Sequence, residues 1–301
     1  MPSIYKNADA NVFKTWLLLT GFLVFVIGVG WLFSNILGND SILYIAIVLS
    51  IITSFSSYWF SDVLVLTMAG AVPIEKKDNP ELYRLVENLC ITAGLPLPKI
   101  YIIAERQPNA FATGRNKNHA VIAVTQGLLD RLDKTELEGV LAHELSHIGN
   151  QDMLLSTVVV VLAGVVSLLA NFFLRISFWG GARSSDDREN NGGGILLIAG
   201  ILAAILAPIA ATLIQLAISR KREFLADADG ALLTRYPEGL ASALEKIAQD
   251  ASPMPSANTA TSHLFIESPF KEDQSKNWFI QLFSTHPPIA ERIKILRDME
   301  V

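Results

Sequence analysis

Cysteine is almost missing from this chain: of 301 residues, Cys90 alone is one. No disulfide can close within the chain and no cysteine-rich metal site can be built, so any metal ligands must come from His, Asp and Glu. Histidine is itself scarce, with five in total. Basic residues are outnumbered, 24 Lys and Arg against 29 Asp and Glu for a formal net charge of −5, and no basic stripe interleaved with aromatics is present. That balance argues against nucleic acid as a partner. Charged residues make up only 18% of the chain while 51% is hydrophobic, and the mean hydropathy of +0.38 exceeds that of an ordinary soluble globule. Part of the chain is therefore expected in a lipid bilayer. No internal repeat is visible.

Four long apolar runs carry this hydropathy. Trp16 to Phe33 follows a polar start and is close to the roughly 20 residues a helix needs to cross the hydrocarbon core. It is longer than the apolar core of a signal peptide and no small-x-small site follows, which predicts an uncleaved anchor. Ile42 to Phe60 is the second run, with Tyr58 and Trp59 suited to its interfacial end, and apolar character continuing to Ala71 predicts a helix that extends or tilts. Leu154 to Leu174 and Ile195 to Ile218 are the third and fourth, separated by a loop rich in Gly and charge. The chain thus divides into a membrane anchor of two transmembrane helices (1–71), a soluble α+β part (72–153), a transmembrane hairpin (154–218) and a C-terminal helical part (219–301). Four spans would place both ends on one side. Lys6, Lys14 and Arg220-Lys221-Arg222 flank spans there, whereas the 34–41 loop has no Lys or Arg, so that side is read as cytoplasmic against dissent from Arg175, Arg183 and Arg188. The alternative is that runs three and four form a hairpin buried in protein or only partly inserted.

Within the soluble part, Pro80 to Cys90 has amphipathic helical spacing, ended by Gly94-Leu95-Pro96. Ile100–Ile103 and Ala120–Val124 are rich in β-formers, and the turn-forming residues 113–118 between them suggest paired strands. Then comes Leu141-Ala142-His143-Glu144-Leu145-Ser146-His147-Ile148, with Thr135 as the expected cap of its helix. At H-E-x-x-H spacing His143 and His147 lie one turn apart on one face and can reach a single Zn²⁺, while Glu144 is placed to act as general base. The chain is accordingly read as an α-helical membrane protein carrying a zincin-like α+β metalloprotease domain, with about four transmembrane helices. A core helix with two structural histidines is the bland alternative. A small sheet ahead of such a helix is where a zinc peptidase presents an edge strand to an extended substrate.

A third ligand is required. The metzincin extension needs Gly at 150 and His at 153, and the chain has Asn150 and Met153. Glu223 is the best candidate on spacing, because it follows the fourth run as the metal helix precedes the third, and the ends of a helical hairpin meet. Asp227, four residues on, could accept from a ligating imidazole. An ordinary charged membrane flank remains the alternative for both. His286, in Ser284-Thr285-His286-Pro287-Pro288 with Arg292 six residues later, is either a capping or surface residue or a donor to an oxyanion.

In this order, Pro108-Asn109-Ala110-Phe111-Ala112-Thr113-Gly114, His143-Glu144-Leu145-Ser146-His147, Arg222-Glu223-Phe224-Leu225-Ala226-Asp227 and Thr285-His286-Pro287-Pro288 with Arg292, set among the apolar runs, resemble the HtpX-type membrane zinc metalloproteases, relatives of the CAAX prenyl endoproteases. The resemblance covers nearly the whole length. It implies His143, His147 and Glu223 as zinc ligands, Glu144 as base and His286 as oxyanion donor. It further implies Asp227 and Arg292 as supports behind the ligands, and Asn109, with Ala110 and Phe111, beside the substrate backbone. It also implies quality control in a bacterial inner membrane, acting from the cytoplasmic side on membrane-protein or unfolded polypeptide substrates. An intramembrane protease and a non-catalytic scaffold or chaperone with a structural metal are the competing readings. Charge at Asp130–Glu138 and Asn150–Asp152 opposes the first, and the intact Glu144 opposes the second.

Overall fold

A computed structural model describes residues 4–181, 201, 206, 220–250, 254, 264–266 and 287–299. It begins with two apolar helices, α1 (Ile4–Leu37) and α2 (Ser41–Trp59), folded back on each other through a short turn at Gly38, where φ is +63°. Large apolar side chains such as Trp31, Ile45 and Ile52 point outward from the pair. A lipid bilayer would cover them without a penalty.

The second apolar run does not continue as one helix towards Ala71. It breaks at Phe60 (φ −124°, ψ 10°), and a separate helix α3 (Ser61–Met68) turns Val65 and Leu66 inward. Hydropathy could not separate the two because both are apolar, one facing lipid and the other protein. After α3 come β1 (Ala71–Pro73), α4 (Pro80–Ala93) and β2 (Lys99–Ile103), then β3 (Ala110–Gly114), a 3₁₀ turn at Lys117–His119 and β4 (Ala120–Thr125). Asn79 caps α4 by accepting from Leu82 N–H, and Gly94 ends it in the left-handed conformation.

The sheet runs β1-β2-β4-β3. The two β-rich runs expected to pair are indeed neighbours, yet they are parallel. A parallel pair needs a crossover, and part of that crossover is β3, which the turn at 113–118 folds antiparallel onto β4. Alternation then separates two faces. Ile100, Ala112, Ile122 and Val124 pack with α4 and the helices described next, while Ile103, Phe111, Val121 and Ala123 pack with α3 and with Val160 of the third apolar run.

Helix α5 (Gln126–Arg131) leads to α6 (Lys134–Gly149), which carries the H-E-x-x-H residues. Its cap is Asp133 rather than Thr135: Asp133 Oδ1 accepts from Thr135 and Glu136 N–H, and Glu136 reaches back to Asp133 N–H, closing a capping box. Glu136 is buried because Ser242 Oγ and Lys246 Nζ also donate to it, each at 2.6 Å. The third apolar run forms α7 (Asp152–Gly181), followed by α8 (Arg220–Thr234), α9 (Pro237–Gln249) and α10 (Ile289–Arg297). Backbones approach α6 closely on two sides. A Cβ on Gly139 would lie 2.7 Å from Leu240 N, and one on Gly230 would lie 3.0 Å from His143 N. Small residues there let α8 and α9 pack directly against the metal-motif helix.

Among the described residues three helices are long and apolar enough to span a membrane: Asp9–Asn35, Ser41–Trp59 and Asp152–Ala170. The third differs from the others, with 61% of its apolar window buried in protein against 28% and 22%. It is as much a core helix as a lipid-facing one. The fourth apolar run, 195–218, lies outside the described residues except for Ile201 and Leu206, and Leu206 is buried against α1 and α7.

Candidate metal centre

The side chains of His143 and His147 leave one face of α6, as their spacing requires, and their Nε2 atoms stand 3.2 Å apart. Helix α8 runs across them and delivers Glu223, whose Oε2 lies 3.9 Å from His143 Nε2 and whose Oε1 lies 3.7 Å from His147 Nε2. One ligand atom from each residue falls within 4.8 Å of the others. Four donors at about 2.0–2.1 Å around a tetrahedral Zn²⁺ would be separated by roughly 3.3–3.4 Å. These spacings, 3.2 to 3.9 Å, are of that size, so the donor set fits such an ion.

Behind each imidazole stands a carboxylate. His143 Nδ1 is 2.9 Å from Asp227 Oδ1, and His147 Nδ1 is 3.2 Å from Asp152 Oδ2. Asp227 is gripped in turn by Arg292, with Nε to Oδ2 at 2.8 Å and Nη2 to Oδ1 at 2.7 Å. This bidentate fork leaves Arg292 with no solvent exposure, and its Nη1 donates to Ile266 O at 3.2 Å and lies 3.7 Å from Glu223 Oε2. Burial alone would raise the Asp227 pKa, but the Arg292 guanidinium and His143 hold its carboxyl below the ordinary range. Because the fully buried guanidinium would lose both bonds of its fork, an Asp227→Ala change should destabilise the fold by roughly 3–5 kcal/mol. Equilibrium unfolding should also show that Asp227→Asn, which keeps the volume and an acceptor, costs less.

Burial pushes the Glu144 carboxyl above its usual range, opposed by His143 and His147 and assisted by Glu223. For His147 burial acts downward, but Asp152, Glu223 and Glu144 outweigh it and raise the imidazole to about 9. A cation placed between these groups would relieve both effects, since it replaces the proton as the partner of the carboxylates.

Asn109, Ala110 and Phe111 are brought to the edge strand β3, and all three are buried. Asn109 O accepts from Thr125 N–H, so strand alternation turns the N–H and C=O of Ala110 to the open side. That C=O is taken by Ile266 N–H at 3.1 Å, and Phe265 meets Phe111 edge-on at 5.3 Å between ring centroids. His286 lies outside the described residues. The sequence does not single out Asp152 for the centre. A helix break intervenes between it and His147, which hides the pairing from any spacing rule; an acid opening an apolar helix is the one signal it offers.

Residues 76–300 match Peptidase family M48. Protease HtpX homologs cover nearly the whole chain. That of Syntrophobacter fumaroxidans is 48% identical over 290 residues, 95% of this chain and 99% of that protein. That of Caldanaerobacter subterraneus subsp. tengcongensis is 44% identical over 302 residues, 99% of each. That of Pyrococcus furiosus is 48% identical over 288 residues, 95% of each. The crystal structure of S. mikatae Ste24p shares the fold, with a TM-score of 0.51 at 20% identity over 98% of this chain and 67% of that one.

Proposed function

The chain belongs to Peptidase family M48 and is an HtpX-type membrane metalloprotease, and on that premise we propose that it is a zinc-dependent endopeptidase removing misfolded membrane proteins from the cytoplasmic side of a bacterial inner membrane. The observation that carries the metal reading is the convergence of His143, His147 and Glu223 from α6 and α8. Two imidazoles and a carboxylate are the donor set of a catalytic zinc that keeps a fourth position open. Bound there, the ion would supply Lewis acidity to the scissile carbonyl and the attacking water.

The rest of the work falls to the chain's own groups. Asp152 bonds to His147 Nδ1 and the Asp227 carboxylate stands 2.9 Å from His143 Nδ1, an arrangement that favours the proton on each Nδ1 and leaves both Nε2 lone pairs inward. Glu144 takes a proton from the attacking water on its carboxylate and returns it to the leaving amine; a carboxyl whose pKa burial raises is suited to holding that proton. His286 is assigned as oxyanion donor because its Thr285-His286-Pro287-Pro288 segment matches the pattern of the HtpX-type family. An extended substrate would add to the open side of β3, where Ala112 and Gly114 also turn their N–H and C=O by alternation. Reaching Ala110 requires Ile266 to leave it.

Placement near the bilayer follows from where the spans end. The candidate spans begin at Asp9 and Asp152, and the second ends at Trp59, which receives Arg115 of the β3–β4 turn 4.6 Å over its ring. His147 Nδ1 is 3.2 Å from Oδ2 of Asp152, the first residue of the third candidate span, so the centre stands beside the end of that span. Loops and termini close to the membrane are the natural substrates of such a site. In proteoliposomes, cleavage should fall as a scissile sequence is moved outward from a substrate's membrane helix on flexible linkers. In a Cys90→Ala background, Asn118→Cys should label only from the cytoplasmic side and Asp186→Cys only from the other. Distance-independent cleavage, or labelling of position 118 from outside, would overturn the placement.

A further inference from the structure

Asp152 supports His147, and a residue far away in the chain holds Asp152 in turn. Asp152 opens α7 and divides its carboxylate, with Oδ2 3.2 Å from His147 Nδ1 and Oδ1 accepting from Asn11 Nδ2 at 2.6 Å. The same Asn11 amide donates to the C=O of Asn150, the cap residue of α6, at 3.1 Å. Asn11 is 141 residues away in sequence and stands on α1, inside the candidate span Asp9–Asn35.

Both residues are 4% exposed. An amide buried on an apolar helix costs free energy unless its N–H groups find acceptors, and here both acceptors belong to the joint between α6 and α7. The joint turns through Gln151 at φ +55°, a left-handed conformation that a side chain seldom adopts without outside support. Arg222 Nε is 3.9 Å from Asp152 Oδ1, beyond hydrogen-bond distance. Among the described residues, then, the short donor to that oxygen is Asn11.

We infer that Asn11 of the first membrane helix is a positioning residue for the metal centre: by holding the Asp152 carboxylate it sets the orientation of the His147 imidazole, and it thereby couples the packing of the N-terminal span to metal affinity. The inference rests on His147 being a ligand. Without Asn11 the carboxylate keeps one partner fewer and is free to rotate about its Cβ–Cγ bond. The His147 ring, held from behind by that carboxylate, loses its fixed direction.

The test uses the full chain in nanodiscs, measuring Zn²⁺ affinity by chelator competition and the visible absorption of the Co²⁺-substituted form, which reports donor geometry without turnover. Asp152→Ala should weaken Zn²⁺ binding roughly 10–100-fold. Asn11→Leu should weaken it about 2- to 10-fold, the worth of one net hydrogen bond, and shift the Co²⁺ bands. The double variant should bind more tightly than the product of the two single losses, because the path from Asn11 to the His147 imidazole runs through Asp152, while its bond to Asn150 C=O steadies only the joint. Should Asn11→Leu fail to insert, Asn11→Ser keeps polarity but is too short to reach both acceptors, and the same losses are expected of it. Wild-type affinity and spectrum in the folded Asn11 variants, or losses that sum in the double variant, would overturn the inference. A wild-type protein that binds no stoichiometric Zn²⁺ would instead defeat the metal-site reading on which it rests.

Discussion

Glu144→Gln is expected to fold, retain its metal and lose peptide hydrolysis by about 10²–10⁴-fold, the range a positioned acid–base group contributes. The side chain sits 2% exposed within α6, beside both histidines, so an amide of the same shape preserves packing and removes only the proton acceptor. Casein cleavage and metal content measured on one preparation decide the matter. A variant that cleaves like wild type would move the base elsewhere. A variant that loses metal along with activity would make Glu144 a support of the centre rather than its base.

The second large effect is expected at Glu223. With Glu223→Ala two imidazoles remain, and metal affinity should fall by more than the roughly 100-fold that loss of a supporting carboxylate can cause. Glu87→Ala serves as the control, since Glu87 is an exposed acid paired with Lys76 away from the centre. Stoichiometric zinc retained by Glu223→Ala would remove Glu223 from the ligand set. The fold itself should survive the change: Glu223 is in the first turn of α8, whose packing against α6 depends on the small Gly230 rather than on the acid.

Much of the centre is legible in the amino-acid sequence because its parts are local. His143 and His147 face the same way on any helix, and an acid after one apolar run can meet a helix that precedes another, which points to Glu223. The same four-residue step points to Asp227. Local rules serve less well where two elements share one composition. Phe60 ends a lipid-facing helix and Ser61 starts a core helix, yet the hydropathy of both is alike. The strand β3 carries small residues in Ala110-Phe111-Ala112-Thr113-Gly114, too little β-branched character to declare itself. Thr135 and Asp133 are both good cap residues, and Glu136 decides between them by its position three residues after Asp133.

From sequence alone come the apolar runs, the helix that turns two imidazoles and Glu144 to one region, Glu223 as the candidate third donor, and the exclusion of sulfur ligands, because each depends on residue type and on spacing within one element or its neighbour. The tertiary structure alone decides that the Asp152–Ala170 part of α7 is 61% buried over its apolar window, that the two β-rich runs lie parallel, and that Ile266 occupies the edge strand at Ala110. It also decides which polar atoms meet behind the two imidazoles: the fork of Arg292 on Asp227 across 65 residues, and Asn11 holding Asp152 across 141. Contacts between groups so far apart in the chain depend on how whole helices pack, and no periodicity in the sequence encodes which polar atom a distant helix will deliver.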